Sequence, residues 1–354
     1  MFYECKNCKR RWEYPLAACP FDFAKPEPME SKTAKVVNVS KVSISTLFHP
    51  TAPYYILLLE DEFGNVFGYK SDKEFKLGEE FNMATSADAN AVAIWRVKYD
   101  VSDAIEKAIG LIGGISVGMN SNVVVLPTLA AASHEYFRDN TSPRFLDAVL
   151  ALLINRGVKP ENIIIGSQSF DEVPITAMAQ KSGLLGLSAK YKITPVDFAT
   201  AEYEKADPPA GEARPQGGQL EIVKAVREAD LVVNLAMEKI GQAAATQNMF
   251  SVLKKENYLG LKYLSSDQDI AKLLEPLLNK MVVIGEAEYV QRSYKLTTFM
   301  GLVLAGRKAL NVDRVFNEAA MAFKLPEIAS DIAMEAIPVV GRSIKEVQYR
   351  AEIF

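Results

Sequence analysis

From Asp100 onward, short continuous runs of Val, Ile and Leu alternate with amphipathic segments. This alternation constrains the fold more than any other feature of the chain. A strand that is apolar at every position needs burial on both faces, and intervening helices supply the two covers, so a mainly parallel α/β sheet is expected. The strand-like runs are Asn122–Leu126, Asn162–Ile165, Tyr191–Thr194, Asp230–Leu235, Met281–Ile284 and Gly301–Leu304. Helical patterns cover Ser142–Arg156, Val173–Ser182, Gln219–Glu228, Asp267–Asn279 and Asn311–Phe323. A further helix follows Asp100, with Asp103 in its first turn, apolar residues at helical spacing from Ala104 to Ile112, and Gly113-Gly114 as its stop. Asp207–Gly218, rich in Pro and Gly, reads as a loop inside this region, because the strand–helix alternation continues beyond it.

The first hundred residues read differently. All three cysteines fall within the first 19 residues: Cys5-x-x-Cys8 is followed by Cys19, and Cys19-Pro20-Phe21-Asp22 repeats the spacing with Asp22 in the fourth place. Two such knuckles can hold a tetrahedral metal ion, with Cys5, Cys8, Cys19 and Asp22 as the expected ligands of a structural zinc. A metal-free relic and a disulfide are the alternatives, the latter disfavoured in a reducing cytosol. Ala34–Ser45, Tyr54–Leu59, Val66–Tyr69, the segment around Leu77–Phe81 and Ala91–Val97 then read as five short strands, separated by turn residues such as Asp61–Asn65. That set suits a small OB-type barrel. The expected organisation is a rubredoxin-like zinc ribbon over 1–32, an OB-fold barrel over 33–99 and an α/β domain over 100–354. Tyr54, Tyr55, Phe67 and Tyr69 are either barrel core and surface β-formers, which is favoured, or a stacking platform.

Cys5-x-x-Cys8, Tyr14-Pro15, Cys19-Pro20, Pro53-Tyr54-Tyr55 and Leu77-Gly78-Glu79-Glu80-Phe81 resemble the acyl-CoA-associated zinc-ribbon and OB-fold proteins that accompany thiolases. The second region resembles the domain of unknown function 362 family. That resemblance rests on Gly301–Arg307 followed by Val312-Asp313, on Val339–Ile344, on the Val123–Leu126 strand and on Thr141-Ser142-Pro143. The ferredoxin-type cysteines of some members are absent here. The chain has Leu126-Pro127-Thr128 where the family has Lys-Pro-Asn, keeps Lys239 without the accompanying histidine, and has Gln247-Asn248 in place of Lys-Asn. These changes remove the cation suited to an anion and the group suited to proton transfer near neutrality.

Open α/β sheets bind ligands outside the carboxyl ends of their strands. His134, Arg138, Ser142, Ser167, Lys239 and Asn248 all follow such strand ends and are expected to line one cleft. Ser142 and Pro143 start a helix whose first N–H groups suit an anion, with Arg138 or Arg144 nearby. Glu286 and Glu288 read either as a solvated pair or as ligands for a hard cation. Asp313 is expected to cap or pair locally.

Composition narrows the function. Lys and Arg number 40 against 44 Asp and Glu, which excludes a globally basic nucleic-acid binder. The only histidines are His49 and His134, which argues against a His-rich metal centre. No apolar run approaches the roughly 20 residues that span a bilayer, and the N-terminus lacks a signal-peptide profile, so a cytoplasmic location without membrane association is expected. The favoured reading is an accessory or scaffold subunit of a multi-subunit complex. It binds a thiolase-like acyl-CoA enzyme or its CoA-linked ligand. The alternatives are an enzyme acting on a small anionic or CoA-linked substrate at the sheet edge and, well behind, single-strand nucleic-acid binding through the OB fold.

Overall fold

The computed structural model describes residues 2–14, 16–29, 31, 33–44, 52–71, 74–82, 88–98, 100–170, 173–207, 219–278, 280–293, 296–322 and 332–348. His49, Pro15, Tyr99, Asp171 and most of the Asp207–Gly218 loop lie outside them. The chain divides into two compact units, 1–86 with 342–350, and 87–341 with 351–354.

The first unit holds two small antiparallel sheets. Strands β1 (Phe2–Glu4), β2 (Arg11–Trp12) and β3 (Glu27–Met29) pair in the order β2-β1-β3. Strands β4 (Thr33–Val42), β5 (Tyr54–Asp61), β6 (Val66–Ser71) and β7 (Glu80–Asn82) pair in the order β6-β5-β4-β7. Alternation along β5 sends Tyr55, Leu57 and Leu59 inward, where they meet Ala34 and Val36, with Phe67, Tyr69 and Phe81 packed against the cluster. Tyr54 is buried as well, so these aromatic rings serve the interior. The β5–β6 turn is held by Asp61, whose carboxylate accepts from the backbone of Phe63 and Asn65 and from the Asn65 amide, with Gly64 at φ 76°.

The second unit is built on a mixed, mainly parallel eight-stranded sheet. Its strands are β8 (Val92–Arg96), β9 (Val123–Pro127), β10 (Ile163–Ser167), β11 (Val196–Asp197), β14 (Leu231–Lys239), β15 (Met281–Ser293), β16 (Leu296–Gly306) and β17 (Val339–Gly341), in the order β11-β10-β9-β14-β15-β16-β8-β17. A separate hairpin pairs β12 (Tyr203–Ala206) with β13 (Leu220–Val223). Helices α1 (Val101–Leu111) and α2 (Pro143–Asn155) bury Ile105, Ile109, Phe145 and Leu146 against one face of the sheet. After α2 the chain forms α3 (Ile175–Lys181), α4 (Leu184–Tyr191) and α5 (Lys224–Glu228). Then come α6 (Ala244–Met249), α7 (Lys255–Leu264), α8 (Asp267–Leu274) and α9 (Ala309–Ala319). Helices α6 and α9 take the opposite face: the Asn234 amide on β14 donates to the Ala245 carbonyl, and Val312 fills the space over Gly306.

Several expectations are corrected. Ala91–Val97 does not close the N-terminal set. As β8 it pairs with β16 and β17 in the large sheet, and Val92, Ala93 and Ile94 are fully buried there. The division of the chain accordingly falls before this strand and not near residue 99. The β15–β16 and β16–β8 pairs are antiparallel; only two residues separate β15 from β16 in the sequence, where a parallel pair would need a long crossover. Tyr191 ends a helix, and the strand expected at Tyr191–Thr194 forms later, as β11. The expected helix Gln219–Glu228 begins as strand β13.

Candidate functional site

Strands β9, β10 and β14 run parallel, so their carboxyl ends share one edge. A cavity of about 190 Å³ opens there. Thr128, Leu129 and Ala130 line it from the end of β9, Ser167, Gln168, Ser169 and Phe170 from the end of β10, and Met237 and Lys239 from the end of β14. The loop after β14 and helix α6 complete it with Gln242, Ala244, Gln247 and Asn248, and Ser251 follows.

The polar walls are anchored from behind. The Asn248 Nδ2 donates to the Leu126 carbonyl at 2.8 Å and to Asn234 Oδ1 at 2.7 Å. The Gln168 Nε2 donates to the carbonyls of Ser251, at 2.8 Å, and Leu253. Ser251 Oγ donates to the Asn248 carbonyl, and Thr128 Oγ1 accepts from the Met237 N–H. The Phe170 and Tyr258 rings stack at 4.2 Å beside the site. Lys239 is the one ionisable residue among the described lining residues.

Of the six residues expected in one cleft, Ser167, Lys239 and Asn248 line this cavity, and His134, Arg138 and Ser142 do not. His134 is exposed and caps a short turn, its Nδ1 accepting from the Tyr136 N–H. Ser142 is the N-cap of α2, as its place before Pro143 suggests, but the anion facing that helix start belongs to the chain itself: Glu286 Oε2 accepts the Ser142 N–H at 2.9 Å. Arg138 sits 4.0 Å from Glu286 Oε1 and over the Tyr289 ring. Gln291 donates to the Phe137 carbonyl and to Asp139, fastening the same loop to β15. Burial raises the Glu286 carboxyl to about 7, against the lowering pull of Ser142 and Arg138. Arg144 Nη1 donates to both Glu288 carboxylate oxygens, so neither carboxylate of the pair is simply solvated.

Gln168 lies in the Gly166–Asp171 segment that its position after a strand places at this edge, whereas sequence reasoning missed Gln242, which carries no motif and gains meaning only from its place on the cavity wall. It also missed Glu238. This residue follows the last expected position of β14, yet the strand continues through Lys239 and buries it completely. Burial, and then the charge of Asp313, push its carboxyl well above the usual range. Asp313 does not pair locally. Its carboxylate accepts the Ala245 and Thr246 N–H groups and the Thr246 hydroxyl at the start of α6, so Thr246 faces Asp313 and not the cavity.

In the first unit, Cys5, Cys8, Cys19 and Asp22 place their ligand atoms within 4.8 Å of one another. The two knuckles have the same backbone pattern. The Cys5 N–H donates to the Arg10 carbonyl and the Cys5 carbonyl accepts from the Lys9 N–H, the Cys19 N–H donates to the Ala24 carbonyl and the Cys19 carbonyl accepts from the Phe23 N–H, and Lys9 and Phe23 have φ of 59° and 60°. Asp22 therefore stands in the second knuckle where Cys8 stands in the first. Cys8 and Cys19 sulfurs lie 3.5 Å apart and all three cysteines are free. A tetrahedral ion with bonds of about 2.3 Å holds its donors about 3.8 Å apart, so this set fits a metal ion.

No helix among the described residues is long and apolar enough to cross a membrane. No curated protein matches the chain. Among solved structures, a chain of the Ltp2-ChsH2(DUF35) aldolase matches 22% of this chain and 67% of its own length, at 18% identity and a TM-score of 0.19. The lactate racemase apoprotein from Thermoanaerobacterium thermosaccharolyticum matches 67% of this chain and 58% of its own length, at 15% identity and a TM-score of 0.32. Neither likeness is close enough to carry a functional argument. The family model described as domain of unknown function (DUF362) matches residues 123–318, which span the sheet edge and its cavity and more than half of the chain, and the chain belongs to that family.

Proposed function

We propose that this chain is a ligand-binding accessory subunit. Its α/β unit holds a small anion, or the anionic part of a CoA-linked ligand, at the carboxyl edge of β9, β10 and β14. Its N-terminal unit is a zinc ribbon joined to an OB-type sheet that docks on a thiolase-like acyl-CoA enzyme. One observation carries the reading: the cavity combines a single described cation, Lys239, with a wall of neutral amides and hydroxyls. Such a wall orients a ligand by hydrogen bonds, whereas proton transfer near neutrality calls for a group such as histidine or a tuned carboxyl. The knuckle geometry and the sequence resemblance of residues 3–98 support the ribbon and its partner class.

Purification of the native, untagged chain with identification of stoichiometric companions tests the reading. A thiolase-like companion, together with saturable binding of acetate or phosphate that Lys239→Gln weakens tenfold, is expected. An isolated homo-oligomer that turns over an acyl-CoA by itself would replace it with the enzyme reading.

A further inference from the structure

The two N-terminal knuckles differ in one donor. Cys5, Cys8 and Cys19 present sulfur and Asp22 presents oxygen, all within 4.8 Å of one another. A structural zinc is closed by four protein ligands, whereas a zinc that takes part in chemistry has three and a replaceable fourth. On the reading of residues 1–32 as a metal ribbon, Asp22 decides which kind this is.

Asp22 reaches the site, since both its oxygens lie 3.2 Å from Cys5 Sγ. It is also the ligand best able to leave. Its oxygen is the only hard donor in a soft set, and thiolate suits zinc better than carboxylate does. Cys5 and Cys19 are fully buried, whereas Asp22 is half-buried and within reach of solutes. Its Oδ1 accepts the Ala24 N–H at 3.1 Å, so the carboxylate keeps a partner in its own knuckle once it no longer faces the ion. The residues on either side of it, Phe21 and Phe23, are 62% and 82% exposed. The Arg10 guanidinium lies over the Phe21 ring, 3.3 Å from its centroid, and holds that ring at the surface. An apolar rim beside the one replaceable ligand suits the organic part of an incoming molecule.

We propose that the ribbon has an exchangeable fourth position, at which a small organic thiol takes the place of Asp22 and completes a set of four sulfurs. The thiol proton passes to the buffer, the bond to the Asp22 oxygen breaks and a bond to the thiolate sulfur forms, with no change of oxidation state. Asp22 is tethered and competes as a local ligand, so exchange calls for thiol at roughly millimolar concentration.

Cobalt(II) in place of zinc in the full chain gives the readout, because sulfur bound to cobalt absorbs in the near ultraviolet. Anaerobic titration with 2-mercaptoethanol is expected to raise that absorbance saturably by about one third, the step from three thiolates to four. Ethylene glycol, which has oxygen in place of the sulfur, is expected to change nothing. Asp22→Cys, checked for native circular dichroism, is expected to start at the higher level and not to respond. An unchanged parent spectrum at thiol well above the millimolar range would show a closed site, overturning the exchange while the ribbon stands. Loss of the cobalt bands with the metal recovered free would also overturn it, because the thiol then removes the ion instead of joining it. A chain that binds no cobalt would overturn the ribbon itself, and the exchange with it.

Discussion

Both carboxyl oxygens of Glu238 lie inside the protein without a hydrogen-bond partner among the described residues, and a side chain at Gly285 would meet one of them at 2.6 Å. Asp313 has three donors and Glu238 none, so Glu238 is the member of this pair that keeps its proton. A carboxyl raised in the folded state binds a proton that the unfolded chain has released. Stability is then full below the ordinary carboxylate value near 4.5 and falls as pH rises toward the raised value, by about 1.4 kcal/mol per unit. Glu238→Gln is expected to flatten this decline, so that urea unfolding between pH 5 and pH 8 shows a smaller loss than in the parent. An equal slope in the two proteins would place the titration elsewhere. Arg138 illustrates what sequence leaves hidden. Its position after a strand suits an anion site, but the buried carboxylate it faces is contributed by β15, far along the chain, and periodicity carries no information about such a pairing. Arg138→Ala is expected to cost about 0.5–1 kcal/mol and to extend the Glu286-linked loss of stability to higher pH, because a charge that lowers the folded-state value is removed while the unfolded value stays. Anion affinity in the cavity should not change, which titration of acetate checks.

At the scale of elements, the start of α2 is capped twice, by its own Ser142 and by Glu286 from β15. Removing the second cap leaves a buried N–H unpaired. Glu286→Ala is therefore expected to destabilise the protein by about 1–3 kcal/mol in denaturant titration, with faster amide exchange in the first turn of α2. A cost below about 0.5 kcal/mol would mean that water replaces the carboxylate. The paired knuckles make a second prediction. The native chain should carry zinc in a one-to-one ratio by elemental analysis, Cys19→Ser should lose it, and Asp22→Cys should hold it more tightly against a chelator, since thiolate is the softer ligand. A zinc-free native chain with three freely titrating thiols refutes the site. The knuckles were legible because their spacing is local. Strand β8 was legible as a strand but not its sheet, because an apolar run before a helix looks alike in either unit until its partners are known.

For the whole molecule, the repeated strand–helix pattern was enough to read the large parallel sheet, and the shared strand edge was enough to bring Ser167, Lys239 and Asn248 together. The antiparallel β16–β8 pair was beyond reach, since it depends on β8 meeting β16 from the other end of the chain. A fragment of residues 87–354 is expected to fold cooperatively. A fragment of 101–354 is expected to be molten, because it lacks a strand paired on both sides, with Gly306 and Val339 losing their partner Val92. Near-ultraviolet circular dichroism and dye binding distinguish the two, and a native-like spectrum from the shorter piece would contradict the arrangement. The position of β8 also has a temporal side. A ribosome releases β8 before the rest of the sheet and supplies its two neighbours last. Until then three wholly apolar residues of an early strand remain available for wrong partners, and fast assembly of the nascent chain depends on something keeping that short segment occupied or shielded while it waits.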